Sequence, residues 1–269
     1  MKLFISVVSH KHQALITELG TLERLAQFSQ VKVILRDNVE EKQARRYCQD
    51  RGIYYVLNAS ENGFSRNNNL NFLHAISLGM KDRDYFVLLN PDVDMSAEMV
   101  QRLIEQLSSE LPPLAAPNLY LNHQKTVFDD NLRCFPSFKS FVKNYLFNDR
   151  ATVVDKSHPE KVPENYWASG AFLAVRASLY RELEGFDESY FMYCEDVDFC
   201  LRANRYGERI TFLSEVNAVH YRRRSSQQFL SIAFFQHVKS VFFYHFASRQ
   251  WRKNKSCLQP NHKQMSKVL

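Results

Sequence analysis

The stretch Asp84-Tyr85-Phe86-Val87-Leu88-Leu89-Asn90-Pro91-Asp92-Val93-Asp94 decides how the chain folds. Its apolar run is short and closed by Asn-Pro, the pattern of a strand buried on both faces. Such a strand needs cover on each side, which parallel sheets obtain from helices. The neighbouring sequence supplies them. Residues 3–9, 31–35 and 53–57 are Val-, Ile- and Phe-bearing runs that read as strands, while 13–28, 40–50 and 67–80 read as helices. Beyond the opening stretch, Ser96 caps a helix to residue 109, with Glu98 in its first turn. The order β-α-β-α-β-α-β-α predicts an α/β fold, a mostly parallel sheet with helices on both faces.

Ligands of such sheets bind beyond the carboxyl ends of the strands. Those ends are Ser9-His10, Asp37-Asn38, residues 58–63 and residues 90–94, and each is polar. Residues 112–163 are irregular and read as loop and insertion, apart from a helix expected near 138–147. Regular patterning resumes with a buried strand at 172–175, a helix at 179–184, and short strands at 210–213 and 218–220.

Asp-x-Asp occurs three times, so spacing alone decides little and context must separate the copies. Asp82 and Asp84 precede a strand, on the wrong edge for a site. Asp92 and Asp94 follow one, where two oxygen donors suit Mg²⁺ or Mn²⁺ carrying a diphosphate; a turn with acidic residues before a helix is the plainer alternative. Asp196 and Asp198 open a third segment, Tyr193-Cys194-Glu195-Asp196-Val197-Asp198-Phe199. If that segment is helical, the two carboxylates lie about 200° apart and cannot face one centre. Asp198 stands four residues before Arg202, the spacing of a helix ion pair, which leaves Asp196 to face a cleft as a base. Acidic residues also favour the first turn of any helix, so the segment alone does not choose. His220 ends the last strand; it is either a satisfied structural residue or a metal ligand, which would favour Mn²⁺.

Composition bounds the rest. The 269 residues are 45% hydrophobic and 24% charged, enough for one large α/β domain with or without an appendage. Five cysteines, odd in number and without Cys-x-x-Cys, argue for a reducing compartment and against a disulfide framework or zinc ribbon. No signal peptide or spanning helix is legible, so a cytoplasmic protein is expected. Residues 221–269 hold ten Lys or Arg and no Asp or Glu, so the net charge of +6 comes from this tail. An aromatic run over 227–247, flanked by Arg222, Arg223, Arg224, Arg249, Arg252, Lys253 and Lys255, has the character of an interfacial helix on an anionic membrane. The alternative is that its aromatic face packs on the domain or on a second copy of the chain. Nucleic acid is not expected, because the basic residues are confined to the tail and the cleft is acidic.

Together, Asp37-Asn38, Asn62-Gly63-Phe64 with Asn68-Asn69, Asn90-Pro91-Asp92-Val93-Asp94, Trp167-Ala168-Ser169-Gly170-Ala171, Gly185-Phe186-Asp187-Glu188, Glu195-Asp196-Val197-Asp198 and a late His220 resemble the family 2 inverting glycosyltransferases. Within them the chain is similar to bacterial rhamnosyltransferases of O-antigen and cell-wall assembly, from Leu3 to about His220. The resemblance implies a GT-A fold in residues 1–220, with a nucleotide-binding half to 110 and an acceptor-binding half after it, followed by the basic tail. It also implies a nucleotide-diphosphate sugar donor, a divalent cation (Mg²⁺ or Mn²⁺), a lipid-linked saccharide acceptor, and a place on the cytoplasmic face of the inner membrane. Carried over by position, Asp196 is the catalytic base. Asp94 and His220 bind metal with Asp92. Ser9, Asp37, Asn38, Asn62, Asn69, Asp92, Trp167 and Gly170 contact the donor, and Trp167 and Glu195 the acceptor. The chain departs from the pattern at Ser9-His10-Lys11 and at Val39-Glu40-Glu41, which bears on the base-binding residues. A nucleotide-sugar-binding protein without turnover is the alternative that keeps the fold.

Overall fold

The structure, a computed structural model, describes residues 1–137, 139–141, 143, 149–222 and 232–259. Eight strands form one sheet, in the order β3-β2-β1-β4-β9-β6-β10-β5. They are β1 (Leu3–Ser9), β2 (Val31–Asp37), β3 (Tyr54–Leu57), β4 (Tyr85–Leu89), β5 (Val93–Asp94), β6 (Leu114–Tyr120), β9 (Phe172–Arg176) and β10 (Ile210–His220). β7 (Leu132–Cys134) and β8 (Tyr166–Ala168) pair separately. The first four long strands run parallel, as expected, with β1 paired to both β2 and β4. β9 runs antiparallel between β4 and β6, and β5 antiparallel on β10. β4 is wholly buried, and the two main core clusters lie on opposite faces of the sheet.

The helices are α1 (Gln13–Leu19), α2 (Thr21–Ala26), α3 (Ala44–Gln49), α4 (Phe64–Ser77), α5 (Ala97–Glu110), α6 (Ala177–Glu182), α7 (Glu195–Arg205) and α8 (Ile232–Ala247). The single helix expected over 13–28 is two, because Gly20 at φ +64° ends α1 with a left-handed cap. The Ser96 hydroxyl caps α5 by accepting from the Met99 amide. The two strands expected after residue 209 are one, broken in register between Leu213 and Asn217.

Residues 114–120 correct the reading of this region as loop. They form β6, an interior strand whose side chains are buried up to Leu119. Pro117 in it has no amide hydrogen to donate, and β10 shifts register just there, so the ladder is interrupted where the donor is missing. The helix expected near 138–147 lies largely outside the described residues, as do Arg223 and Arg224.

The tail does not stand apart from the domain. Val241 and Tyr244 of α8 bury against Tyr190, Cys194 and Val197. The Ser240 hydroxyl donates to the Met192 carbonyl at 2.9 Å. Arg252 pairs with buried Asp187 at 2.8 Å and lies over the Phe243 ring. The packing alternative for the aromatic face therefore holds for this side of α8. Val238, Phe242 and Phe246, four residues apart, stay exposed on another side, and Trp251 is 68% exposed. Among the described residues no helix is long and apolar enough to cross a membrane.

Candidate active site

The two acidic motifs meet at Ser169-Gly170-Ala171, where the chain enters β9. The Gly170 amide donates to Asp196 Oδ2 at 3.0 Å. One residue on, the Ala171 carbonyl accepts from the Asn90 amide at 2.8 Å, at the start of the turn that carries Asp92. The other side of the same segment is fixed by Ser169, whose amide donates to the Asn131 carbonyl at 2.8 Å.

α7 begins under strain. Tyr193 and Cys194, neither of them glycine, have φ +72° and +65°. This left-handed step leads into α7, where Asp196 meets the Gly170 amide. Burial raises the pKa of Asp196, against the opposing Gly170 and Val197 amides. Burial and the Asp196 charge raise that of Glu195, whose Oε2 has no hydrogen-bond partner among the described residues. A carboxylate that binds its proton more tightly is a stronger base once ionised. Asp198 turns away, as the helical period requires, and pairs with Arg202 at 2.9 Å. Arg202 also donates to the Leu183 and Gly185 carbonyls, so it serves the fold and not a phosphate.

At the other motif, Asp92 Oδ1 lies 3.4 Å from His220 Nε2, both side chains mostly buried. Asp94 is not brought to them. Its carboxylate is engaged by Arg24 of α2 and by the Thr21 hydroxyl. Asp92, Asp94 and His220 are thus not gathered into one three-ligand set, and among the described residues no three acidic, His or Cys side chains form one. An oxygen and an imidazole nitrogen 3.4 Å apart nevertheless suit adjacent positions on one divalent cation. Mg²⁺-type sites commonly take one or two protein ligands and fill the rest with substrate phosphates and water, so the pair fits such a cation.

The donor-side residues divide. Ser9 and Asp37 are register partners at the carboxyl ends of β1 and β2. Both are buried, and Ser9 Oγ and Asp37 Oδ1 lack a well-formed partner among the described residues. Burial raises the Asp37 pKa. Asn38 and Asn62 border this end but are tied into a network: Asn38 accepts from the Asn58 and Asn67 amides, and Asn38 and Asn67 donate to the Asn62 carbonyl. Asn69 is committed elsewhere in the fold. It is fully buried on α4 and accepts from the Tyr180 hydroxyl and the Phe186 amide, while its own amide donates to the Phe186 carbonyl and to Glu188. With these bonds Asn69 fixes the 185–188 turn. Trp167, one residue from β8's end, is half-buried, and its indole N–H has no hydrogen-bond partner among the described residues. Gly63 permits the site to close, since a Cβ there would stand 2.3 Å from the Phe191 carbonyl that caps α4.

One functional candidate was invisible to sequence reasoning. Asp129 accepts from His220 Nδ1 at 2.8 Å and from both ends of the Arg222 guanidinium. Burial alone would raise the Asp129 pKa, but these donors outweigh it and hold it at about 2. Burial would lower that of His220, but bonding to Asp129 and Asp92 raises it to about 9. Asp129 sits in the irregular region 112–163, where no spacing pointed to it.

No family model matches the chain. Rhamnosyltransferase WbbL of Escherichia coli strain K12 is 31% identical over 243 residues, 90% of this chain and 91% of that protein. N-acetylglucosaminyl-diphospho-decaprenol L-rhamnosyltransferase of Mycobacterium tuberculosis is 33% identical over 78 residues, 29% of this chain and 25% of that protein. The structure of a mannosyltransferase from Pyrobaculum calidifontis, in complex with GDP-Man and Mn²⁺, superposes with a TM-score of 0.60 over 94% of this chain and 66% of that one, at 13% identity. The chain belongs to the family 2 glycosyltransferases, as a rhamnosyltransferase-type enzyme of GT-A fold.

Proposed function

We propose that the protein transfers L-rhamnose from dTDP-rhamnose, with inversion, to a polyprenyl-diphosphate-linked saccharide in surface polysaccharide assembly. The observation that carries this reading is that Gly170 donates to Asp196 while the next residue, Ala171, accepts from Asn90, which opens the turn leading to the Asp92–His220 pair. Asp196 takes the proton of an acceptor hydroxyl as that oxygen attacks the anomeric carbon. The same bond event breaks the bond from the anomeric carbon to the donor's diphosphate. Asp92 and His220 would hold a divalent cation, which supplies neutralisation of the charge that builds on the departing diphosphate. Ser9 and Asp37 offer buried polar atoms to the nucleoside base. Trp167 and Glu195 border the place left for the acceptor, with the 1–110 half holding the nucleotide. The sugar is supported by the rhamnosyltransferase relatives, and a lipid-diphosphate acceptor by the name of the mycobacterial one.

The exposed stripe Val238, Phe242, Phe246, with Trp251 and the exposed cations Lys239, Arg249 and Lys253, suits an anionic membrane surface that carries such an acceptor. This would place the enzyme on the cytoplasmic face of the inner membrane.

A donor screen tests the reading. With Mn²⁺ and a polyprenyl-diphosphate-linked saccharide, nucleoside diphosphate release is expected from dTDP-rhamnose and not from UDP- or GDP-sugars. Equal indifference to all donors would overturn it. For the membrane contact, Phe242→Ser combined with Trp251→Ser should reduce sedimentation with anionic liposomes, and undiminished sedimentation would refute that part.

A further inference from the structure

Residues 128–131 run alongside the carboxyl end of β6. Phe128 bridges to Tyr120, and the Asp129 amide donates to the Leu119 carbonyl at 2.9 Å. Leu119 is in turn the register partner of Ala218 in β10, two residues before His220. Sheet register thus sets where the Asp129 carboxylate lies relative to the His220 ring. The segment is fixed from below as well: buried Lys156 donates to the Leu119 carbonyl at 2.8 Å and to Asn131 Oδ1 at 2.6 Å.

The ring is held at both nitrogens. Asp129 Oδ2 takes Nδ1 at 2.8 Å, and Nε2 faces Asp92 Oδ1 at 3.4 Å. Asp129 is 2% exposed, and its second oxygen is occupied by Arg222, so it cannot rotate to solvent. With a cation in place of the Nε2 proton, an imidazole that donates Nδ1–H to a fixed carboxylate turns the Nε2 lone pair to that cation in one orientation, which is the arrangement that strengthens a histidine ligand.

We infer that Asp129 is the positioning residue for His220, fixing its tautomer and ring plane so that Nε2, with Asp92, is presented to a divalent cation. The inference rests on the reading of His220 as a cation ligand. It gives the irregular region between β6 and β7 a function: it carries the carboxylate that orients a ligand supplied by β10. Arg222 then serves to keep Asp129 in place.

Mn²⁺ binding, read from the free-Mn²⁺ signal in electron paramagnetic resonance, tests this without turnover. Asp129→Asn and Asp129→Ala should weaken Mn²⁺ binding about 10–100-fold, the usual cost of losing such a partner. Asp129→Glu should restore part of the loss, and Arg222→Lys, which keeps the cation beside Asp129, should cost less than either. His220→Gln separates the two ideas. If it leaves Mn²⁺ affinity unchanged, the cation reading of His220 fails and this inference with it. If His220→Gln weakens binding but Asp129→Asn does not, only the positioning role is overturned. Should the Asp129 variants not fold, ¹⁵N resonances of the wild-type imidazole decide. On titration with diamagnetic Mg²⁺, Nδ1 should keep its proton while Nε2 changes. Loss of the Nδ1 proton, or a response at neither nitrogen, would overturn the inference.

Discussion

The end of β4 and the start of α7 carry the same Asp-x-Asp pattern, and the fold treats the second residue of each alike. Asp94 is claimed by Arg24 and Asp198 by Arg202. The first residues are treated differently. Asp92 faces an imidazole at 3.4 Å, whereas Asp196 accepts from the Gly170 amide beside the buried Glu195. A cationic neighbour favours the ionised form of a carboxylate, and a desolvated acidic setting favours the protonated form. On the proposed reading the first motif shares a cation and the second accepts a proton. In each motif an arginine engages the second carboxylate.

The largest expected effect breaks the second motif at its first residue. Asp196→Asn should lower transfer by about 10²–10⁴-fold, the usual contribution of a general base, measured as nucleoside diphosphate release. Near-normal turnover would give the base role to another group, with Glu195 the nearest.

At the second residue the loss should fall on stability. Asp198→Ala leaves the Arg202 guanidinium without its carboxylate in a buried setting and should cost about 3–5 kcal/mol in denaturant unfolding. A change confined to activity would instead bring Asp198 into the chemistry.

The pH profile sharpens the contrast between Asp92 and Asp196. Burial raises the Asp196 and Glu195 pKa values, so on acidification the basic form is lost earlier than for an exposed carboxylate. The acid limb of kcat/KM should therefore lie above the ordinary carboxylate value of about 4. In the same interval the folded chain holds more protons than the unfolded one, so this pair's contribution to stability falls as pH rises through its raised pKa. An acid limb at or below the ordinary value would remove the desolvated base from the mechanism.

The smallest effect is expected at Asp94. Its pair with Arg24 is partly exposed on both sides, so Asp94→Ala should cost about 1 kcal/mol or less of stability. A loss of Mn²⁺ binding in that variant would return Asp94 to the cation site.

What the sequence disclosed and what it hid divide along physical lines. The parallel half was legible because buried strands are short apolar runs and their helices are periodic, as at Tyr85–Leu89 and Ala97–Glu110. The Asp198–Arg202 pair was legible because helix geometry is local. β6 was not, since Pro117 reads as a breaker and only the register shift in β10 accommodates it. Asn69 looked like its asparagine neighbours, and only the fold shows that its side of α4 meets the 185–188 turn. The surroundings of Asp94 and Asp129 were not legible for one reason. Their partners, Arg24 and His220, lie 70 and 91 residues away, beyond any spacing rule.

Titrating Asp196→Asn with dTDP in the presence of Mn²⁺ tests the division of labour between the two motifs most directly. Nucleotide affinity equal to that of the wild-type protein is expected, since Asp92 and His220 remain intact. Loss of nucleotide or Mn²⁺ binding would contradict it, placing Asp196 among the cation ligands and leaving the reaction without its proposed base.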